Sequence, residues 1–189
     1  TRYKLAMQYE VEQKFSVSDA QSLHTRLEAL DICWGETVRQ EDAYFNHPSQ
    51  DRDFAKTDEA LRVRLDGDQA MFTYKGPRVD SVTKTRQELE LQVANPGDSG
   101  ESMKQFLQTL GFIYVHSVVK QRRKGKLVFQ NQTVEVALDE VEGLGLFIEF
   151  EIVTGEEELK AATDLLVRLS ESLSLGDGIT VGYLDLLLR

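Results

Sequence analysis

The sequence predicts an α+β chain in which an antiparallel barrel, or a strongly curved sheet, carries helices on its outside. Two observations point there: eight or nine segments alternate apolar and polar residues with period two, and only three segments show helical spacing. A third sets the scale. At 189 residues the chain fits a single domain, 1–189, since domains run about 100–200 residues and one of this size buries about 70% of its unfolded surface. No repeat, linker or low-complexity tract divides it, and Pro48, Pro77 and Pro96 are read one to a loop.

Taken in order, the first strand is expected at 7–15. Ser18, with Gln21 three residues on, signals a capping box for a first helix bearing Ala20, Leu23, Leu27 and Leu30 on one side. Strands follow at 38–46, 60–66, 70–76 and 85–94. Asp98 or Ser99 caps a second helix, with Met103, Phe106, Leu107 and Leu110 apolar and Gly111 as its stop. Strands at 113–123, 126–130, 133–140 and 146–153 precede a third helix after Thr154. Its stripe is Leu159, Ala162, Leu165, Leu166, Leu169 and Leu173. Glu156, Glu157 and Glu158 fall in its first turn, where acids suit the helix dipole. All three stripes are packing faces.

Composition excludes several classes. No apolar run approaches the roughly 18 residues of a membrane span, and the first ten residues do not resemble a signal peptide, so a cytoplasmic protein without a membrane partner is expected. Cys33 is the lone cysteine, which rules out an internal disulfide and suits a reducing compartment. His24, His47 and His116 are too scattered for a zinc site. Acids and bases number nineteen each up to Lys126; the last 63 residues hold thirteen acids and three bases, and so carry the whole net charge of −10. That balance argues against nucleic acid as a partner, because backbone binding needs net basic surface.

The polar faces of the strands are the functional signal. One face gathers Glu10, Glu12 and Lys14, then Arg62 and Arg64, Lys75, Arg86 with Glu88 and Glu90, Lys120 with Arg122, Glu135 with Asp139, and Glu149 with Glu151. The ordinary reading is a sheet with one wet face. A wet face usually mixes Thr, Ser, Gln, Lys and Glu; these positions are nearly all ionisable. If the sheet closes, they face one another across a lumen and the apolar faces pack outward. A lumen of both signs suits a polyanionic, metal-bound ligand. Arg and Lys clamp phosphate oxygens, while carboxylates hold a hard divalent cation that bridges to the phosphates. Phosphoryl and nucleotidyl transfer rest mainly on such positioning and charge. No Walker loop, kinase set or nucleophile elbow is present, and Gly143 and Gly145 shape a turn.

Motifs in order along the chain carry a resemblance. They are YEVEQKF at 9–15 (an E-x-E-x-K pattern), DAYFNHP at 42–48, DEALRVR at 58–64, TYKGP at 73–77, TRQELE at 85–90, KQRR at 120–123, LDEVEGLG at 138–145, FIEFE at 147–151 and GYLDLL at 182–187. Together they resemble the CYTH superfamily of triphosphate tunnel metalloenzymes, most closely its class IV adenylate cyclase group, over essentially the whole chain. The resemblance implies an eight-stranded closed tunnel that binds a triphosphate with Mg²⁺ or Mn²⁺. It implies Glu10, Glu12, Asp139, Glu149 and Glu151 as metal ligands, and Lys14, Arg62, Arg64, Lys75, Arg86, Lys120 and Arg122 as the triphosphate clamp. Glu10, Glu12, Lys14 and Lys75 form its catalytic set, with Glu88 and Glu90 in support. Tyr183 matches a tyrosine usually preceded by serine; here Gly182 precedes it. Glu135 matches no family position and is read as lumen or rim.

Three activities are compatible: cyclisation of ATP to cyclic AMP and pyrophosphate; hydrolysis of inorganic, thiamine or nucleoside triphosphate; and polyphosphate binding without turnover. The five matched carboxylates weigh against the last. The resemblance also hints at a homodimer. Cys33 and Trp34 are read as core or rim, and Tyr44 and Phe54 as packing, with base stacking at the mouth as the alternative. Arg123, Lys124 and Lys126 are read as hairpin or rim charges.

Overall fold

A strand with an ionic and an apolar face must bury one of them, and here the apolar faces turn outward beneath helices. The computed structural model describes residues 9–66, 69–79, 83–93 and 99–189. Eight strands, β1 (Tyr9–Ser16), β2 (Cys33–Asn46), β3 (Ala60–Asp66), β4 (Gln69–Arg78), β5 (Arg86–Val93), β6 (Ile113–Phe129), β7 (Gln132–Val141) and β8 (Gly145–Thr154), close into one barrel. The order around it is β1-β5-β4-β3-β2-β6-β7-β8, antiparallel at every seam. Among the described residues the β1–β5 seam pairs Tyr9 with Gln87 and Glu10 with Arg86. The segment before β5 prolongs it, since the Lys84 N–H donates to the Glu12 carbonyl at 2.9 Å.

Helices α1 (Ala20–Glu28) and α4 (Leu159–Ser172) cover one flank of the barrel. Leu23 and Leu27 of α1 and Leu166 and Leu169 of α4 pack on Val11, Phe15, Ile148 and Phe150, all buried. Full burial of each such leucine is worth about 1.5–3 kcal/mol. Met103 and Leu107 of α3 (Ser99–Thr109) cover Ala43, Phe45, Val63 and Ala70 on the opposite flank. Two short helices, α2 (Phe54–Thr57) and α5 (Tyr183–Leu187), lie near the barrel opening, and α5 packs through Tyr183 on Val118, Val141 and Phe147. Both are too short for a readable 3.6-residue period. No helix among the described residues is long and apolar enough to cross a membrane.

Several expectations shift. The segments expected at 113–123 and 126–130 are one strand, β6. Its hairpin turns at Gln130 and Asn131, which take positive φ of 49° and 66°. That is the backbone a two-residue hairpin demands. Gly125 is therefore no turn residue: a Cβ there would lie 2.7 Å from the Trp34 ring and 2.8 Å from Ile32, so glycine is needed for close approach. The cap of α1 is Asp19 rather than Ser18, its carboxylate accepting the Ser22 N–H at 2.9 Å. β2 starts at Cys33, not 38. Pro77 sits within β4, at an irregularity between Lys75 and Arg78 where a missing N–H is tolerated. Glu156–Glu158 form a 3₁₀ turn ahead of α4. Asp98, Pro96, Ala94 and residues 7–8, invoked above, lie outside the described residues.

Candidate active site

Parity decides which side chains enter the lumen, and register decides which of them meet. Across β1 and β8, Lys14 stands opposite Glu149 and Glu12 opposite Glu151; Glu135 of β7 stands opposite Glu151 in turn. The lumen is a cavity of about 650 Å³ lined by Glu10, Glu12, Lys14, Arg62, Arg64, Lys75, Arg86, Glu88, Glu90, Lys120, Arg122, Glu149 and Glu151. Asp139 lies in its wall, fully buried and hydrogen-bonded to lumen residues. The barrel thus brings all the expected site residues around one space.

Ion pairs organise the charges into groups. On β3 and β2, the Arg64 guanidinium takes both oxygens of Asp42, at 2.6 and 2.8 Å, while Arg62 reaches Asp42 at 3.3 Å and Glu88 at 3.7 Å. The Arg62 Nε is buried and has no hydrogen-bond partner among the described residues. Lys75 lies between Glu10 at 2.9 Å and Glu88 at 2.8 Å. On β6, Arg122 bridges Asp139 and Glu149, and Lys120 reaches Asp139 at 3.3 Å. The Tyr183 hydroxyl donates to Asp139 at 2.9 Å, and the Lys14 and Lys120 ammonium groups stand 4.2 and 5.1 Å from the centroid of its ring. Lys14 donates to the Val181 carbonyl at 2.6 Å, so the C-terminal segment closes over this part of the site.

These contacts set the ionisation states. Burial opposes charge on Asp42, but Arg62 and Arg64 outweigh it and hold the carboxyl well below its usual range. Burial likewise opposes, and Lys75 overrides, at Glu88, which falls to about 2. Arg122 overrides burial at Glu149, held well below the carboxylate range. Glu151 goes the other way: burial, then the neighbouring Glu10, lift it to about 8. Burial and the approach of Lys84 bring Lys14 down to about 7, while burial and Arg122 bring Lys120 to about 7.

Two charged residues in or behind the lumen carry no site reading from the sequence. Lys84 is buried and donates to Glu12 Oε1 at 2.5 Å. It shares even parity with Arg86, Glu88 and Glu90, but lies just before the strand expected at 85–94. Asp42 is buried behind the lumen against Arg62 and Arg64, and its neighbours of like parity, Gln40 and Tyr44, are uncharged. Lys124, expected as a hairpin or rim charge, lies within β6 and lines the cavity with a half-exposed side chain, a rim position. Glu135 is a rim residue, half-buried and paired with Lys126 at 3.3 Å. Glu90, exposed at the edge of the cavity, accepts from Thr73 at 3.3 Å. Arg86 stands 3.7 Å from Asp58. Arg123 leaves the lumen, stacking on Trp34 at 5.2 Å. Trp34 packs at the edge of the core and Cys33 is exposed. Tyr44 lines the cavity, as does Phe54, which is buried against Tyr74 with ring centroids 6.5 Å apart.

This barrel has counterparts. The model of the CYTH domain matches residues 8–182. The chain belongs to the CYTH family. It is 39% identical over 180 residues to the "Putative adenylate cyclase MJ0240" of Methanocaldococcus jannaschii, covering 94% of this chain and 97% of that one. It is 27% identical over 170 residues to the adenylate cyclase CyaB of Aeromonas hydrophila, covering 87% and 82%. The PH1819 protein from Pyrococcus horikoshii superposes with a TM-score of 0.79 at 36% identity, over 95% of this chain and 98% of that one.

In this CYTH barrel the acidic residues divide in two. Asp139 and Glu149 are engaged by Arg122. Glu10, Glu12 and Glu151 share the β1–β8 wall; burial raises the Glu10 carboxyl, with Glu88 adding to it, and burial and then Glu10 raise that of Glu151. All-oxygen donors of this kind could hold a hard divalent cation. Among the described residues no three acidic, histidine or cysteine side chains converge as a ready-made cage. Glu10 and Glu12 would first have to turn from Lys75 and Lys84.

Proposed function

We propose that this CYTH protein takes the triphosphate of ATP into its lumen and, with Mg²⁺ or Mn²⁺, converts it to cyclic AMP and pyrophosphate. One observation carries the reading: basic side chains from β1, β3, β4 and β6 enter a single cavity of about 650 Å³, buried deeply enough that their charge is little screened. The two curated relatives described as adenylate cyclases, one of them over nearly all of this chain, support it.

In this reading Arg62, Lys75, Arg86, Lys120, Arg122 and Lys14 grip the phosphate oxygens, and Arg64 is held against Asp42 as the wall behind them. The bond from the ribose 3′-hydroxyl oxygen to the α-phosphorus forms as the bond to pyrophosphate breaks, the hydroxyl proton leaves with the pyrophosphate, and the lysines and arginines neutralise the departing charge. Glu10, Glu12 and Glu151 would hold the cation, with Asp139 and Glu149 as the further carboxylates the family resemblance implies. A bound divalent cation supplies charge neutralisation at the reacting oxygens. Lys75 is kept protonated against the opposing effect of its burial by Glu10 and Glu88, and so arrives as a fixed positive charge.

The test is a side-by-side turnover assay of ATP and inorganic triphosphate with each metal, products separated by chromatography. Cyclic AMP from ATP supports the cyclase. ADP or AMP alone overturns it, and phosphate release from inorganic triphosphate assigns a triphosphatase instead.

A further inference from the structure

Among the described residues, Lys84 is the one lumen base that reaches the cavity from outside the regular strands. Its position is set by the backbone: its N–H donates to the Glu12 carbonyl at 2.9 Å, which fixes it beside β1 across the β1–β5 seam. Thr83 and Thr85 flank it, both buried, with hydroxyl oxygens 2.6 Å apart. The side chain is 10% exposed and ends 2.5 Å from Glu12 Oε1. A lysine so placed loses rotamer freedom and hydration, and only the charge it meets compensates for that. Glu12 is that charge, and it belongs to the same β1–β8 wall as Glu10 and Glu151.

We infer that Lys84 is a tethered counter-ion for the cation site: its ammonium holds Glu12 while no divalent cation is bound, and gives Glu12 up when one binds, turning then toward the phosphate chain. The inference rests on the reading that Glu12 takes part in holding a cation, and adds the residue that competes for it. The ammonium and a divalent cation would compete for Glu12, because a hard cation draws on the same carboxylate oxygens and like charges repel strongly in a buried site. Each therefore weakens the hold of the other on Glu12. The cation alone binds more weakly than the carboxylates would otherwise allow. A triphosphate offers the displaced ammonium a new anionic partner, which couples cation and triphosphate binding.

The experiment is a titration of Mn²⁺ into the full chain without triphosphate, followed by the electron paramagnetic resonance of free Mn²⁺, on wild type, Lys84→Met and Lys84→Arg. Lys84→Met is expected to bind Mn²⁺ about tenfold more tightly or better, and Lys84→Arg, which keeps the positive charge, to stay near wild type. In a Glu12→Gln background the gain from Lys84→Met should vanish. Calorimetry of inorganic triphosphate binding in the presence of Mg²⁺ should show Lys84→Met weakened, a change that a merely structural lysine would not pair with tighter Mn²⁺ binding. Mn²⁺ affinity in Lys84→Met no better than wild type, or a gain that persists with Glu12→Gln, overturns the inference while leaving the proposed function in place. Absence of Mn²⁺ binding in every variant, wild type included, overturns both.

Discussion

Arg64 and Asp42 meet through both arms of the guanidinium, Nε to Oδ1 at 2.6 Å and Nη2 to Oδ2 at 2.8 Å, inside a barrel where Asp42 is 1% exposed. The pair joins β2 to β3 at a register position where Asp42 lies directly opposite Arg64. Asp42 also takes Arg62 at 3.3 Å, so one carboxylate aims two arginines.

Breaking that pair from the acidic side should be costly. Asp42→Asn leaves two buried guanidinium groups undercompensated, and about 3–5 kcal/mol of stability is expected to go, read from urea unfolding at pH 7. The pH dependence follows from the depressed carboxyl. A group ionised more readily when folded contributes stability that is complete above its unfolded pKa, near 3.9, and is lost as pH falls toward its lower folded value. The gap between wild type and Asp42→Asn should therefore hold from pH 7 to about 5 and narrow below about 4. A midpoint unchanged by the substitution at pH 7 would mean the pair is not structural.

Much of this was legible in period-two alternation. Parity identified the ionic face of nearly every strand, and in a closed barrel one parity means one lumen. What parity does not carry is where a strand ends and which partner a charge selects. Lys84 stands one alternation step outside the strand as it was expected. Its carboxylate is 72 positions away, across a seam that exists only once the barrel has closed. Asp42 and Arg64, 22 positions apart, are joined by register, which local pattern does not specify. The break expected between 123 and 126, with Arg123, Lys124 and Lys126 as hairpin charges, lies inside the single strand β6. The real turn uses Gln130 and Asn131, and the glycine serves the Trp34 ring.

That contact yields its own expectation. Gly125→Ala pushes a methyl to within 2.7 Å of Trp34 and should cost about 1–3 kcal/mol through overpacking. Trp34 is the only tryptophan, so a shift in intrinsic emission should accompany the lowered melting temperature. An unchanged spectrum and melting temperature would contradict the packing described.

Tyr183 ties the C-terminal segment to the lumen through its hydroxyl on Asp139 and its ring on Phe147, with centroids 5.0 Å apart. Tyr183→Phe removes only the hydrogen bond to a charged group, worth about 1.5–3 kcal/mol. Tyr183→Ala also removes the ring and should cost about 3–5 kcal/mol. Equal melting temperatures for the two variants would show that the ring contributes nothing.

Glu12→Gln should lower turnover of both ATP and inorganic triphosphate at least about a hundredfold, because a carboxylate proposed to hold the cation is neutralised. Metal-free triphosphate binding should survive, since Arg62, Lys75 and Arg122 remain. Unchanged turnover would place the chemistry elsewhere in the barrel.

The central claim is that the buried bases of the lumen hold a triphosphate, and calorimetry of inorganic triphosphate binding to wild type and Arg62→Met tests it most directly. Arg62 is the informative choice because its Nε is buried and has no partner among the described residues. The account predicts one triphosphate per chain in wild type and at least about a tenfold loss of affinity in a variant that still folds. No binding to wild type, or equal binding by both proteins, would contradict it.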